Sequence, residues 1–464
     1  MMDLTALDPE LRRQIAAGGV ALAWAAFTGL ILGREALRRR ARQRETAALA
    51  SGSGTPVLVA YASQTGFAEE LARSTARALT TAGTPVTLRD LSAVTAADLA
   101  GAGRALFLVS TTGEGDAPDP ARAFIRNVMA TTPDLSGLSH AVLALGDSSY
   151  AQFCAFGRSL DAWLAGRGAK ALFDRIEVDD GDEAALQLWQ ASLAGLSGST
   201  ELTDWSRPAY GQWALTERRL LNPGSPGGEA WHIRLEPQAG AASWQAGDLV
   251  EIAPQRDPAA RETGLPHRDY SIASLPEDGG IELIVRLQVD TGGRPGLGSG
   301  WLCRLAEVGQ PLEARVRSNR SFHTPPGDAP LILIGAGTGL AGLRAHLKAR
   351  AAAGRGRNWL VFGERTAAHD FLHRAEIEHW QAGGMLERLD LAFSRDQDQR
   401  IYVQHRLREA ADPLRAWVAE GASIMVCGSM DGMGREVHAA LAEILGVETL
   451  ERLTDAGRYR RDVY

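Results

Sequence analysis

The sequence predicts two α/β modules with parallel sheets and, between them in the chain, an antiparallel β-barrel. Three observations predict this order. Apolar strands alternate with helices from residue 56, short strands with period-two alternation follow from residue 231, and strand–helix alternation returns after residue 330. We therefore expect domains at residues 56–200, 207–326 and 327–464.

Composition narrows the class of protein. The chain has 464 residues, enough for two to four domains with cores of their own. Its 56 acidic and 49 basic side chains give a net charge of −7, which argues against a protein that binds nucleic acid by neutralising phosphates. The three cysteines, Cys154, Cys303 and Cys427, are too scattered for a disulfide framework or a zinc site, so we expect no metal.

The amino-terminal segment predicts a membrane anchor. Residues 15–32 are apolar, and six arginines follow between residues 34 and 44. By the positive-inside rule, residues 1–14 would be a non-cytoplasmic tail, 15–33 a transmembrane helix and 34–55 a basic cytoplasmic linker. The alternatives are a signal peptide, whose charges would precede the apolar run, and a buried core helix. We expect a single-pass protein of the inner (cell) membrane with cytoplasmic catalytic domains.

In the first α/β module, apolar strands at residues 57–61, 105–110 and 141–146 should end at one edge of the sheet, where ligands bind. The first loop offers hydroxyls, a glycine and a helix start, which suit a phosphate, although a simple helix cap is the alternative. The second is glycine-rich and would let backbone lie against a flat ring. The third ends in a tyrosine that could stack on a ring or merely pack at the domain edge. The candidates are Ser63, Gln64, Thr65, Gly66 and Ala68 in the first loop, Thr111, Thr112, Gly113, Glu114 and Gly115 in the second, and Gly146, Asp147 and Tyr150 in the third.

Together the motifs SQTGxA, TTGEGD and LGDSSY resemble the flavodoxin-like FMN domain of the diflavin reductases, a family that includes cytochrome P450 reductase and the sulfite reductase flavoprotein. The resemblance implies that residues 63–68 hold the FMN phosphate. It further implies that residues 111–116 line one face of the isoalloxazine and that Tyr150 stacks on the other. We interpret Phe153 and Cys154 as packing residues.

The barrel carries a second cofactor motif. In residues 268–274 a cation suited to a pyrophosphate, an aromatic ring and a hydroxyl lie within four positions, although an ordinary surface strand is the alternative. A Gly/Ser loop that opens a helix at residues 296–302 offers another anion site. RxYS followed by GLGSGWL resembles the FAD-binding barrel of the ferredoxin–NADP reductase family. This implies that Arg268 and Ser299, with Gly296 in the same loop, grip the FAD diphosphate, that Tyr270 stacks on the isoalloxazine, and that Ser271 approaches its N5.

The last module should bind a nicotinamide dinucleotide. Gly337, Thr338 and Gly339 begin a GxGxxG match, and Glu364, about twenty positions beyond it, would favour NAD. A cluster at residues 394–402 outweighs the preference for NAD. Its two guanidinium groups, hydroxyl and aromatic ring suit the 2′-phosphate of NADP. The alternative interpretation of this cluster is a solvated surface loop. A similar motif binds the NADPH 2′-phosphate in the diflavin reductases. We therefore predict NADPH, bound by Ser394, Arg395, Arg400 and Tyr402, with Arg365 as a weaker contact.

The ending RYRRDVY closely resembles that of the sulfite reductase flavoprotein, whose last aromatic covers the flavin until nicotinamide displaces it. By that likeness Ser271, Cys427 and Asp462 surround the site of hydride transfer, and Tyr464 gates it. Two departures stand out. Ser429-Met430 replace the family's Asp-Ala pair after Cys-Gly, and only 19 residues separate Asp248 from Arg268, where other members carry a connecting domain.

These features predict an enzyme that moves electrons from NADPH through FAD and FMN to a one-electron acceptor such as a haem protein. The alternatives are the flavoprotein component of an assimilatory sulfite reductase and a ferric-chelate reductase. A non-catalytic flavin-binding sensor is the alternative from another class. The expected partners are an electron-acceptor protein with a haem or iron centre, the sulfite reductase hemoprotein among the candidates, and the membrane; nucleic acid is not expected.

Overall fold

A computed structural model describes residues 55–113, 115–148, 150–197, 210–257 and 265–463. Within those ranges no helix is both long and apolar enough to cross a lipid bilayer. This finding contradicts the predicted inner-membrane location and gives no support to the membrane as a partner. The apolar segment 15–33, on which that prediction depended, lies outside the described residues, as do Glu114 and Tyr464.

The first module is a parallel sheet of six strands covered by helices on both faces. The strand order is β2-β1-β3-β4-β5, and β6 also pairs with β4. The strands are β1 (Val57–Ala62), β2 (Val86–Asp90), β3 (Arg104–Ser110), β4 (Ser139–Gly146), β5 (Lys170–Ala171) and β6 (Ile176–Asp179). The helices are α1 (Phe67–Thr81), α2 (Ala96–Gly101), α3 (Arg122–Phe124, continued by a π turn at Ile125–Met129), α4 (Ala155–Gly166) and α5 (Glu183–Ser197).

Burial explains why these segments fold as they do. The five central residues of β3 are all buried, as expected for a parallel strand with helices on both faces. Helix α1 buries Leu71, Thr75 and Leu79 along one stripe. Trp189 of α5 donates its indole N–H to Thr75 Oγ1 at 3.1 Å, so the two helices are joined by a satisfied buried hydrogen bond.

The second module is an antiparallel sheet of six strands in the order β10-β9-β12-β7-β8-β11. Its strands are β7 (Gly211–Leu220), β8 (Ala230–Pro237), β9 (Leu249–Ala253), β10 (Arg268–Ser271), β11 (Ile281–Arg286) and β12 (Pro311–Arg317); a short helix, α6 (Leu297–Gly300), continues as a π turn at Trp301–Leu305. Just beyond β10, Ala273 N donates to Glu282 O of β11 at 2.8 Å, so the two edges of the sheet meet. Alternate residues such as Trp213 and Leu215 fill the interior.

The third module is a parallel sheet in the order β15-β14-β13-β16-β17. Its strands are β13 (Leu331–Ala336), β14 (Asn358–Glu364), β15 (Arg388–Phe393), β16 (Ser423–Gly428) and β17 (Tyr459–Val463). Its helices are α7 (Leu340–Ala352), α8 (Ala367–Asp370), α9 (Arg374–Ala382), α10 (Val403–Glu409), α11 (Ala411–Ala419), α12 (Arg435–Leu445) and α13 (Val447–Asp455). The edge strand β17 is an element that the sequence analysis did not predict.

The first module packs directly on the other two. Glu70 of α1 pairs with Arg315 of β12 at 2.9 Å, and Arg126 pairs with Asp455 of α13 at 2.5 Å. The first contact brings the carboxyl edge of the first sheet against the antiparallel sheet, and the second joins the first module to the third.

Candidate functional site

A large cavity, about 1940 Å³ in volume, lies where the first sheet meets the second module. On one side it is lined by the loops that follow β1, β3, β4 and β6. On the other side Tyr210 and His267 stack with ring centroids 4.7 Å apart, near Arg315 and Arg317. The cavity therefore has room for a flat aromatic ligand at the sheet edge where doubly wound folds bind cofactors.

The polar side chains of the loop after β1 have different roles: one caps a helix, one lines the cavity and one contacts the third module. Ser63 Oγ accepts a hydrogen bond from Ala68 N at 3.2 Å, which is the capping role named above as the alternative. Thr65 lines the cavity. The side chain of Gln64 points away from it: its Nε2 donates to Arg461 O at 2.7 Å, and its Oε1 accepts from Asp119 N at 3.0 Å. Both ends of the Gln64 amide are therefore bonded within the protein, which leaves its backbone for the predicted contact with FMN.

The loop after β3 is a tight turn. Thr112 and Asp116 exchange backbone hydrogen bonds of 2.8 and 2.9 Å, and Gly113 and Gly115 between them have φ of 50° and 111°. Glycine adopts such backbone angles without a steric penalty. Thr111 and Gly113 line the cavity, so this loop can present backbone to a flat ring.

The loop after β4 presents Tyr150 to the cavity with 37% of its surface exposed. Gly146 and Asp147 also line the cavity, and a β-carbon at Gly146 would lie 2.9 Å from Cys154 N. Cys154 is wholly buried, with a thiol pKa raised to about 12 by burial.

Sequence reasoning missed the loop after β6. Asp179, Asp180, Gly181 and Asp182 all line the cavity, and Asp180 has φ of 44°. The available signal was the sequence IEVDDGD, a short strand that runs into a glycine turn at the same edge of the sheet.

Strand β10 meets the glycine loop of the second module. A β-carbon at Gly298 would lie 2.6 Å from the Tyr270 hydroxyl and 2.7 Å from Arg268 Cγ, so glycine allows this close approach. Gly296 N donates to Gln288 O at 2.9 Å, and Ser299 Oγ accepts from Gln288 N at 3.1 Å. The structure thus brings Arg268, Tyr270 and the 296–300 loop together. The Arg268 guanidinium reaches Asp180 of the first module at 3.4 Å.

Ser271, Cys427 and Asp462 converge although they lie on three different strands. Ser271 Oγ donates to Asp462 Oδ2 at 2.7 Å, and Cys427 Sγ lies 3.7 Å from the same oxygen. Cys427 and Asp462 are register partners on β16 and β17. Gly342 of α7 packs against this cluster, since a β-carbon there would lie 3.2 Å from Cys427 Sγ.

The electrostatics of this cluster favour neutral groups. Burial is the main reason that the pKa of the Cys427 thiol is raised well above its usual value, and the charge of Asp462 is the second reason. The thiol therefore keeps its proton. Burial also raises the pKa of Asp462, and the hydrogen bonds from Ser271 and Cys427 offset this only in part. No cation forms an ion pair with Asp462 among the residues that the structure describes.

The glycine loop after β13 lies beside this cluster. A β-carbon at Gly339 would lie 2.1 Å from Cys427 O, and Gly337 has φ of 59°. Thr338 lies between them. Glu364, at the end of β14, forms a partly buried ion pair with Arg286 and accepts a hydrogen bond from Arg365 N at 2.7 Å. Its carboxylate is thus already paired within the protein.

The cluster after β15 lies on an exposed surface. In the described part of the chain, the side chains of Arg395 and Arg400 make no hydrogen bond or ion pair, and both residues are exposed. Ser394 is buried next to them, and Tyr402 is 39% exposed. Arg395 N donates to Arg365 O at 2.8 Å, which joins this loop to the one after β14. Two unpaired guanidinium groups beside a hydroxyl and an exposed ring suit a phosphate ester.

Comparison with known proteins identifies the first and third modules. Residues 59–189 match the family described as flavodoxin, and residues 333–439 match the oxidoreductase NAD-binding domain. The chain is 29% identical to the sulfite reductase [NADPH] flavoprotein alpha-component of Vibrio cholerae serotype O1, over 90% of this chain and 89% of that protein. It is 27% identical to the protein of the same name from Bacillus subtilis, over 88% of this chain and 89% of that protein.

The alignments also show what this chain lacks. The alignment with the Vibrio cholerae protein runs over 550 positions, whereas 90% of 464 residues is about 418, so about 130 positions have no residue of this chain. A relative from Neisseria meningitidis serogroup B, 28% identical over 90% of this chain and 91% of its own length, gives an alignment of 548 positions. Both agree with the short interval between Asp248 and Arg268 noted above.

Proposed function

We propose that this chain, which belongs to the diflavin reductase family, is the flavoprotein component of a sulfite reductase system and delivers electrons from NADPH to a partner protein with a haem or iron centre. The sequence alone favours a haem-protein reductase, with this function as the alternative. Similarity to proteins named sulfite reductase flavoprotein, along most of both chains, supports the reverse order.

The observation that carries the proposal is the convergence of Ser271, Cys427 and Asp462 beside the glycine loop of β13. When bound, NADPH supplies a hydride to FAD, and the two flavins together release electrons singly. Ser271 orients the Asp462 carboxyl by its hydrogen bond, and the protonated Cys427 thiol packs beside that carboxyl without acting as a nucleophile. Such a built site argues against a sensor that only binds flavin.

The candidate cofactor residues fit the three ligands. The loops after β1, β3, β4 and β6 would hold FMN, with Tyr150 against its ring. Arg268, Tyr270 and the 296–300 loop would hold FAD, and Arg395 and Arg400 would pair with the 2′-phosphate of NADPH. In this proposal the FMN domain spans residues 56–200, the FAD domain 207–326 and the NADPH domain 327–464.

The test is to mix the purified full chain with NADPH, sulfite and a separately purified sulfite reductase hemoprotein, and to measure sulfide. We expect sulfide only when both proteins are present. Ferricyanide reduction by the chain alone serves as the control for its own turnover. If ferricyanide is reduced but no sulfide forms, the proposed acceptor is wrong; if neither reaction occurs, the reductase function itself is wrong.

A further inference from the structure

Strand β17 carries Asp462 on one side of the molecule and touches the first module on the other. The contact is made by Gln64, a residue of the loop expected to hold the FMN phosphate, which is only 6% exposed. Its Nε2 donates to Arg461 O and its Oε1 accepts from Asp119 N. The Nε2 end of the amide therefore joins the first module to the residue next to Asp462, while the Oε1 end is held by Asp119 of the first module itself.

The same place holds a buried ion pair. Arg461 Nε donates to Asp119 Oδ2 at 2.8 Å, and a second bond joins Arg461 Nη2 to Asp119 Oδ1. Arg461 is only 8% exposed. Burial would raise the pKa of Asp119, but the charge and hydrogen bonds of Arg461 outweigh it and hold that pKa below its usual value. The two residues are 342 positions apart, so they are buried together because the modules are in contact.

Beside this pair, the backbone of the first module also closely approaches that of the second module. A β-carbon at Gly66 would lie 2.2 Å from Ser318 O, which follows β12. Ser321 Oγ lies 2.8 Å from Gln64 O, within hydrogen-bonding distance. The loop that begins α1 therefore fits against the second and third modules through short polar contacts.

We propose that Gln64, Asp119 and Arg461 form a docking lock, which holds the first module against β17 and thereby sets the distance and orientation between the two flavin sites. Gln64 and Arg461 are then positioning residues for electron transfer between those sites. This inference rests on the proposed two-flavin function.

The need for such a lock arises from the interval of the chain where other family members carry a connecting domain. Because this chain has only 19 residues between Asp248 and Arg268, the orientation of its modules depends on direct contacts. A bidentate, buried pair favours one orientation because its geometry is specific. Removing Asp119 leaves the buried Arg461 charge without its ion-pair partner, whereas removing Arg461 leaves Asp119 paired only with the more exposed Arg122, at 3.0 Å. Removing both partners leaves neither charge at this place.

The test uses the full chain, with and without flavins, and the variants Asp119→Asn, Arg461→Met, Gln64→Leu and the double variant Asp119→Asn/Arg461→Met. Small-angle X-ray scattering of the flavin-free chains measures docking through the radius of gyration. We expect each single variant to have a larger radius than the wild type, and the double variant to recover part of the difference. Gln64→Leu leaves no buried charge, so it tests the lock even if Arg461→Met fails to fold.

Stopped-flow absorbance of the loaded chains separates the two electron-transfer steps. We expect reduction of the second flavin to slow at least about tenfold in the single variants, while reduction of the first by NADPH changes less than about twofold. Arg408→Ala is the control, because it removes an exposed ion pair with Glu443 within the third module. We expect it to behave as the wild type.

The proposed lock would be contradicted if the lock variants had the radius of gyration of the wild type, or if the reduction of both flavins slowed equally. If the wild-type chain holds only one flavin, the proposed function fails. Scattering of the flavin-free variants still decides whether the lock sets docking.

Discussion

At the scale of single residues, the site depends on a carboxyl group that is buried without a cation. Asp462 is 3% exposed, and its described partners are the hydroxyl of Ser271 and the thiol of Cys427. Burial of an acid favours its neutral form. This arrangement lowers the stability of the folded protein but holds a carboxyl group at the expected site of hydride transfer.

Replacing Asp462 with Asn tests this interpretation through the pH dependence of the free energy of unfolding. The pKa of Asp462 is raised in the folded protein above its ordinary value of 3.8, so the folded state binds the proton more tightly than the unfolded state. The stability of the wild type should therefore fall as pH rises from about 3.8 through the raised pKa. We expect Asp462→Asn to lack this fall and to be more stable than the wild type at high pH by about 1–3 kcal/mol, as measured by urea unfolding across pH. A wild type and variant with parallel pH profiles would contradict the assignment.

Replacing both Arg395 and Arg400 with Ala tests the choice of nicotinamide cofactor. We expect the KM for NADPH to rise at least about tenfold, since two charge-assisted hydrogen bonds are lost, while the KM for NADH stays nearly unchanged. Steady-state ferricyanide reduction with each cofactor measures this. Arg415→Ala, which removes an exposed pair with Asp412, is the control. Retention of a strong NADPH preference in the double variant would contradict the phosphate assignment.

Residue types at strand ends predicted most of the residues that line the site, but not what each side chain does. Tyr150 faces the cavity as its position after β4 suggested. Gln64 does not, because its partners, Arg461 and Asp119, are far away in the sequence and belong to a contact that no local pattern encodes.

At the scale of elements, apolar runs and their turn signals predicted the strands that carry the site. Strand β17 escaped prediction because its sequence, YRRDV, has neither an apolar run nor period-two alternation. Its polar residues Arg461 and Asp462 are buried by tertiary partners, Asp119 and Ser271, which lie on other modules. Tertiary contacts override local propensity at such a strand.

Helix α1 offers a matched pair of glycines that separates local strain from docking. Gly66 precedes the helix with φ of 87°, and Gly83 follows it with φ of 82°. A β-carbon at Gly83 would meet no atom within 4 Å, whereas one at Gly66 would collide with Ser318 O. We expect Gly83→Ala to cost about 1 kcal/mol of backbone strain alone.

Gly66→Ala should cause the same strain and, in addition, weaken docking and FMN retention. Urea unfolding, the FMN content of the purified protein and its radius of gyration measure the three effects. Equal behaviour of the two variants would show that the contact at Ser318 does not matter.

At the scale of the whole molecule, the order of three modules followed from the change of period along the chain, and the flavodoxin and NAD-binding matches agree with the outer two. The relative placement of the modules could not be predicted. It depends on contacts between distant residues, such as Glu70 with Arg315 and Asp119 with Arg461. Because about 130 alignment positions have no residue of this chain, we expect these direct contacts to determine the orientation of the modules.

The most direct test of the account is the flavin content of the purified full chain, followed by anaerobic titration with NADPH. We predict one FMN and one FAD for each polypeptide, with both reduced by NADPH. A single kind of flavin, or a second flavin that stays oxidised in excess NADPH, would contradict the account.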